Sequence, residues 1–160
     1  MVNNKSHLTA IKRNKLSAPA TWLLTNGFFK DAKQILDYGC GRGSDTTFLT
    51  KTGFKCYPYD PHYQPLPAPP NFFDKAMCNF VLNVVNETVA DVIIKKIQAH
   101  LTPTGVAYLT VRRDVKKNGF TSKGTFQRNV ALSLPVLRET NGFCIYKLDK
   151  YSSVVQTNCV

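Results

Sequence analysis

Ile35-Leu36-Asp37-Tyr38-Gly39-Cys40-Gly41-Arg42-Gly43-Ser44-Asp45 is an aliphatic run that stops abruptly in three glycines at alternate positions. A stretch of this kind turns a strand sharply into a helix around a ligand, because glycine enters the left-handed region freely and lets the backbone come close to another group. Ser44 or Asp45 is then placed to cap the helix that carries Phe48 and Leu49. Glycine-rich strand-to-helix turns serve nucleotides in general, so the position of an acid on the next strand is the second test. Lys55 to Tyr59 reads as a short strand with Asp60 at its carboxyl end. There a carboxylate can take both hydroxyls of a ribose. A turn that merely packs helix on strand would not require that acid in register.

Dinucleotide sites prefer G-x-G-x-x-G, whereas the order here is G-x-G-x-G-S, and no G-x-x-x-x-G-K-[ST] pattern for a triphosphate occurs. Asp37 can accept from an ammonium or from loop amides, which suits an amino-acid-bearing nucleoside. Asp37-Tyr38-Gly39-Cys40-Gly41-Arg42-Gly43 resembles motif I of the class I S-adenosylmethionine-dependent methyltransferases. The resemblance implies S-adenosyl-L-methionine as cofactor, with the glycine loop around its methionine part and Asp60 on its ribose. The implied cofactor-binding set is Asp37, Gly39, Cys40, Gly41, Gly43, Asp60, Pro61, Asn79 and Phe80. Further segments, Thr9-Ala10-Ile11-Lys12-Arg13, Leu16-Ser17-Ala18-Pro19, Tyr59-Asp60-Pro61-His62-Tyr63, Phe80 to Val85 and Gly124-Thr125-Phe126-Gln127, are similar to a bacterial group of DNA-phosphorothioation-associated methyltransferases. That group is typically longer.

A chain of 160 residues with 43% apolar content can build one core rather than two. The expected organisation is a basic amino-terminal segment over 1–20 and a single minimal methyltransferase domain over 21–160. Five cysteines, at 40, 56, 78, 144 and 159, are odd in number, lack C-x-x-C spacing and lie mainly in apolar stretches. They read as reduced thiols, which places the protein in the cytoplasm. No apolar run approaches a membrane span, and the basic, polar first twenty residues contain no signal-peptide core. Three scattered His and no repeated acidic spacing argue against a metal site.

Twenty-one Lys and Arg against ten Asp and Glu leave a net charge of +11, a balance that favours polyanions through counterion release. One cluster comprises Lys5, Lys12, Arg13 and Lys15 with His7. A second spans Arg112, Arg113, Lys116, Lys117, Lys123 and Arg128, with Asp114 as its only acid. A solvated basic surface is the plainer explanation for any single member, and no helix-turn-helix, zinc-finger or ribonucleoprotein motif is present.

The periodicity predicts a helix over 21–29, a strand over 34–38, a helix over 45–52 and a strand over 55–59. Pro58, Pro61, Pro65, Pro67, Pro69 and Pro70 make 61–71 an extended loop, so the third strand of the class I fold and its helix are missing. A strand over 74–78, a helix over 90–100, a turn at Thr102-Pro103-Thr104-Gly105 and a strand over 106–111 follow. Residues 143–148 and 151–156 form a carboxyl-terminal antiparallel hairpin. The alternation of strands and helices implies an α/β fold with a mainly parallel sheet, and the resemblance implies that this is the Rossmann-like class I methyltransferase fold. Asp74 begins a strand rather than ending one and is a poor substitute for the family's adenine acid.

Ligands of open α/β sheets bind beyond the carboxyl ends of the strands. That edge gathers Asp37, the glycines, Asp60, Cys78-Asn79-Phe80-Val81 and Arg112-Arg113-Asp114. The chemistry implied, in-line attack on a sulfonium methyl, calls on the protein for positioning and exclusion of water. Amino-methylating DNA enzymes carry [DNS]-P-P-[FYW] after the middle strand, and cytosine C5 enzymes Pro-Cys. Here the place reads Met77-Cys78-Asn79-Phe80-Val81, which matches neither. Asn79 is the candidate catalytic residue, against simple loop capping. His62 and Tyr63 either orient a substrate or pack as loop aromatics. Arg112, Arg113, Lys116 and Lys117 are the candidate substrate-binding residues. The expectation is thus a methyltransferase with nucleic acid as preferred partner. The alternatives are a small-molecule methyltransferase and a noncatalytic cofactor-binding module of a nucleic-acid assembly.

Overall fold

The computed structural model describes residues 5–63 and 71–157. The main sheet has the order β2-β1-β3-β4-β9-β8, built from β1 (Ile35–Tyr38), β2 (Cys56–Tyr59), β3 (Phe73–Asn79), β4 (Leu101–Arg112), β8 (Val136–Glu139) and β9 (Phe143–Asp149). β2, β1, β3 and β4 run parallel, while β9 is antiparallel to both β4 and β8. Helices α1 (Ala18–Thr25), α2 (Ser44–Lys51) and α3 (Glu87–His100) flank it, and short strands β5 (Gly119–Phe120), β6 (Phe126–Gln127), β7 (Ala131–Leu132) and β10 (Gln156–Thr157) pair outside it.

Side-chain alternation along each strand divides the core in two. Leu36, Ala76, Cys78, Leu109 and Tyr146 join Ala90, Ile94 and Ile97 of α3 on one face. Ile35, Met77, Tyr108 and Ile145 join Ala20 and Leu23 of α1 and Leu49 of α2 on the other. β1 is buried at all four positions, as a parallel strand covered on both faces must be.

Local chemistry sets the helix starts. α1 begins earlier than its apolar spacing predicts, because the Ser17 side chain accepts from Ala20 N and Pro19 fits the first turn. The expected boundary at residue 20 falls inside this helix. Asn86 caps α3 by accepting from Val89 N at 2.9 Å, so α3 starts at Glu87 and not at Ala90.

The sheet ends at β2, with no third family strand beyond it among the described residues. Lys55 and Tyr59 point their carbonyls inward to Ile35 N and Gly39 N, so Pro58 faces outward. A proline there removes a donor from the open edge and blunts it against further pairing. The loop prolines Pro65, Pro67, Pro69 and Pro70 lie outside the described residues.

Two expected elements differ. Thr102 to Gly105 is absorbed into β4, where a register shift opposite Phe73 and Lys75 takes up the extra residues. Gly105 is needed there, since a Cβ would stand 2.8 Å from the Phe73 carbonyl oxygen. The hairpin pairs β9 with the preceding β8, not with 151–156. Asn141-Gly142 supplies its turn, and Thr140 N donates to Phe143 O at 2.8 Å. Of the expected partner strand, Gln156 with Thr157 pairs instead with β7.

Candidate active site

A cavity of about 540 Å³ opens at the carboxyl ends of β1, β2 and β3, within the range of small-molecule sites. Asp37, Gly39, Cys40, Gly41, Asp60, Pro61, Asn79 and Phe80 all line it. Gly43 does not; it takes φ +76° and forms the amino-terminal cap of α2 without a side-chain bond. Neither Ser44 nor Asp45 is that cap.

The glycines answer to different demands. Gly39 has φ +74°, and a Cβ on it would lie 2.3 Å from Val81 Cγ2. Its freedom serves the packing of the loop after β3. A Cβ on Gly41 would meet Ala10 Cβ at 3.0 Å, because the amino-terminal segment crosses the turn. This segment is tied at several points: Tyr63 Oη donates to His7 O at 2.9 Å, Arg13 N donates to Ser44 Oγ at 2.9 Å, and Ser17 N donates to Asp45 Oδ1 at 2.7 Å. His7 and His62 stack at 4.0 Å. Thus His62 and Tyr63 hold the segment in place, and Arg13 reaches the cavity wall.

Asp60 is fastened by backbone. Its Oδ2 accepts from Gly41 N at 3.0 Å, and Oδ1 accepts from His62 N at 2.8 Å and Tyr63 N at 3.0 Å. Oδ2 keeps acceptor capacity, since a carboxylate offers about four lone-pair sites, two on each oxygen, and both of those on Oδ1 are taken. Asp37 is 3% exposed and accepts from Thr46 Oγ1 at 2.7 Å. Burial pushes its carboxyl up to about 7, against the lowering effect of the Thr46 bond. Burial likewise raises the Cys40 and Cys78 thiols, so neither is a ready thiolate.

Asp45, expected only as a possible helix cap, is a buried junction. It accepts from Ser17 N and Ser17 Oγ, and Asn79 Nδ2 donates to its Oδ2 at 3.4 Å. Asn79 Oδ1 is buried and has no hydrogen-bond partner among the described residues. Opposite the glycine turn, Val85, Val89, Val92 and Ile93 form an apolar wall with Lys96 beyond them. Helical spacing in α3 was the available signal for this wall, though not for its facing the cavity. Asp74 accepts from Lys33 N and Gln34 N and plays no part at the cavity. Among the described residues, no group of three or more His, Cys, Asp and Glu could hold a metal ion.

The second basic cluster does not flank the cavity. Arg112, Arg113, Lys116 and Lys117 are absent from its wall, and both arginines are engaged within the protein. Arg112 pairs bidentately with Asp114, at 2.8 and 2.9 Å. Arg113 donates to Glu139 Oε1, Val130 O and Tyr146 Oη. Arg128 is 6% exposed and donates to Val85 O at 2.7 Å. Arg113→Ala is therefore expected to lower stability by about 1–3 kcal/mol in urea unfolding; a loss within ~0.5 kcal/mol would mark it as an ordinary surface charge.

The fold recurs in solved methyltransferases. A 1,6-didemethyltoxoflavin-N1-methyltransferase from Burkholderia thailandensis, solved with 1,6-didemethyltoxoflavin and S-adenosylhomocysteine, aligns with a TM-score of 0.63 at 17% identity over 81% of this chain and 76% of its own. A S-adenosylmethionine-dependent methyltransferase from Aquifex aeolicus gives 0.55 at 14% identity, over 80% and 87%. Magnesium protoporphyrin IX methyltransferase from Synechocystis PCC 6803, with S-adenosylhomocysteine bound, gives 0.52 at 16% identity, over 81% and 79%. A search of the curated proteins finds no match.

Nucleic acid as the preferred partner is overturned. The solved neighbours whose names state an acceptor act on small molecules, and the arginines expected to meet phosphates are engaged inside the fold. Nothing in these matches ties the chain to DNA phosphorothioation. The cytoplasmic placement reduces to a narrower statement: no helix among the described residues is long and apolar enough to cross a membrane. A model of the methyltransferase domain family matches residues 11–157. The chain belongs to that family and has the class I fold of methyltransferases that use S-adenosylmethionine as cofactor.

Proposed function

We propose that the protein methylates a small molecule, with the cofactor lying across the carboxyl ends of β1, β2 and β3. The observation that carries this reading is the single cavity lined by Asp37, the Gly39 to Gly41 turn, Asp60 and Asn79 together. The residues fit the cofactor chemically. Asp37 offers a buried carboxylate for a cationic aminoacyl end, and Arg13 a guanidinium for its carboxylate. Asp60, with Pro61 beside it, faces the ribose hydroxyls, while Val81, Val85 and Val89 suit an apolar base. Gly39, Cys40 and Gly41 line the same wall. When bound, S-adenosylmethionine supplies a methyl group on a sulfonium, an electrophile. The protein's contribution is to hold the partners in line and exclude water, for which the crossing segment over Gly41 is placed.

The neighbours' acceptors, didemethyltoxoflavin and magnesium protoporphyrin IX, support a small acceptor. We keep the grouping with the DNA-phosphorothioation-associated proteins as a proposal resting on Thr9 to Arg13 and Gly124 to Gln127; it carries no acceptor.

Calorimetry with S-adenosylhomocysteine tests the cofactor placement. Asp60→Ala is expected to weaken binding by about 1–3 kcal/mol through loss of ionic hydrogen bonds. It should also loosen the turn, because three amides lose their acceptor. Unchanged affinity in the folded variant would reject Asp60 as the ribose residue.

A further inference from the structure

The amino-terminal strap over residues 5–13 walls the cavity yet is weakly held. Ser6, His7, Thr9, Ala10, Ile11 and Arg13 all line the cavity. The strap's own backbone bonds are local, Leu8 N to Lys5 O at 2.9 Å and Ala10 N to His7 O at 3.2 Å. Its single 3-10 turn, Ser6–Thr9, buries no residue, and Leu8 and Ile11 are 57% and 62% exposed. A segment with few buried apolar contacts, and with no backbone bond to the sheet among the described residues, opens locally at small cost.

The far end of the strap is fastened by rings. His7 stacks on His62 at 4.0 Å with 17° between the planes. Tyr63 stands edge-on to His62 at 4.6 Å, and the Arg42 guanidinium lies over the Tyr63 ring at 5.6 Å. One proton on the histidine pair is tolerated, because an imidazolium over a neutral ring is a cation–π contact. A second proton sets two like charges 4.0 Å apart, with a third cation, Arg42, two rings away. Asp60, whose Oδ1 accepts from His62 N, offsets one of these charges. Lys5 on the strap and Lys123 on the β5–β6 hairpin add to them, since a Cβ on Gly124 of that hairpin would lie 3.9 Å from Lys5 Cδ. An open strap takes up both protons freely and a closed one does not. Closure is therefore favoured as pH rises, and opening as it falls.

We propose that the stacked His7–His62 pair is a pH-sensitive latch, which holds the strap closed while the pair carries at most one proton and releases it when both rings are charged. Opening takes residues 5–13 off the cavity wall and lets the ligand exchange. The latch itself does not depend on what the cavity holds. Its use, release of the cofactor in acid, rests on the cofactor placement proposed above.

Millisecond hydrogen exchange on the ligand-free full chain tests the latch, with the protection of the 5–13 amides corrected for the intrinsic rate at each pH. Between about pH 7.5 and about pH 5, across the ordinary histidine value of about 6.5, strap protection is expected to fall about tenfold, the effect of one proton over about one pH unit. Amides of β1 and β3 should keep their protection, because Asp37 gains its proton over the same span and strengthens the fold. His62→Phe keeps a stacking ring that does not titrate and should hold the strap at both pH values. His62→Ala removes the ring and should lose strap protection at both. The proposal is overturned if wild-type strap protection is the same at both pH values, or if the fall persists in His62→Phe. Dissociation of S-adenosylhomocysteine should quicken about tenfold in the same acid step, and less in His62→Phe. An equal change in both proteins would belong to Asp37 and overturn the part of the latch in release. Absence of S-adenosylhomocysteine binding to the wild type, read by calorimetry, would sink the cofactor placement, and the exchange measurement would still decide the latch.

Discussion

Asp37→Asn is expected to abolish high-affinity cofactor binding while making the ligand-free protein more stable at and above neutral pH. The wild-type carboxyl is buried and its pKa is pushed up to about 7 by desolvation. An acid whose folded pKa lies above its unfolded one binds more protons when folded, so stability falls as pH rises between the two values. The wild type should therefore be most stable near pH 4, lose stability up to about pH 7, and stay level above it. Over that span the difference is roughly 3–5 kcal/mol, taking ~1.4 kcal/mol per pH unit. Asparagine can still accept from Thr46 Oγ1 and carries no charge, so this slope should flatten. Binding runs the other way. Above pH 7 an ionised Asp37 attracts the cationic end of the cofactor, and its removal should cost about 2–4 kcal/mol of affinity. Wild-type affinity should rise with pH through neutrality, and the variant's should not. Urea unfolding and calorimetry across this range check both halves. A variant that keeps wild-type affinity at pH 8 would remove Asp37 from the site.

Gly39→Ala is expected to destabilise the protein by about 2–4 kcal/mol, combining a left-handed backbone penalty with forced displacement of Val81. The steric part rests on a Cβ position 2.3 Å from Val81 Cγ2. Val81→Ala in the same chain should recover that part and leave the backbone penalty. Denaturant unfolding of the two single variants and the double variant measures the coupling. Strictly additive losses would show that Gly39 is required by its φ alone.

The glycine turn shows where motif reading stops. Strand, turn and helix were legible at 35–51, and so was Asp60, because each depends on neighbours a few residues away. The same pattern suggests one reason for all three glycines, close approach of a ligand. Gly39 instead accommodates Val81 and Gly41 accommodates Ala10, contacts between segments far apart in the chain. The hairpin was misplaced for a related reason. Residues 151–156 carry β-forming side chains, but Asn141-Gly142 on the other side of β9 supplies the tight turn that makes β8 its partner.

The basic residues mark the sharper division. Composition by itself determined an excess of positive charge, and spacing determined that six cations follow one another from Arg112 at the end of β4 onward. Whether such a charge meets solvent depends on which segment returns beside it. Arg113 finds Glu139, distant by 26 residues, and Tyr146, distant by 33, only because β8 and β9 fold back against the end of β4. Sequence alone thus determined the parallel α/β frame, the glycine turn and the place of Asp60 at the end of β2, since backbone conformation and side-chain alternation are local properties. Tertiary structure alone decided that Asp37 is buried enough to titrate near neutrality, that Asn79 bonds to Asp45, and that the arginines are engaged within the fold. Desolvation and pairing are set by what packs against a group, and the packing partners here come from remote strands and from the amino-terminal segment.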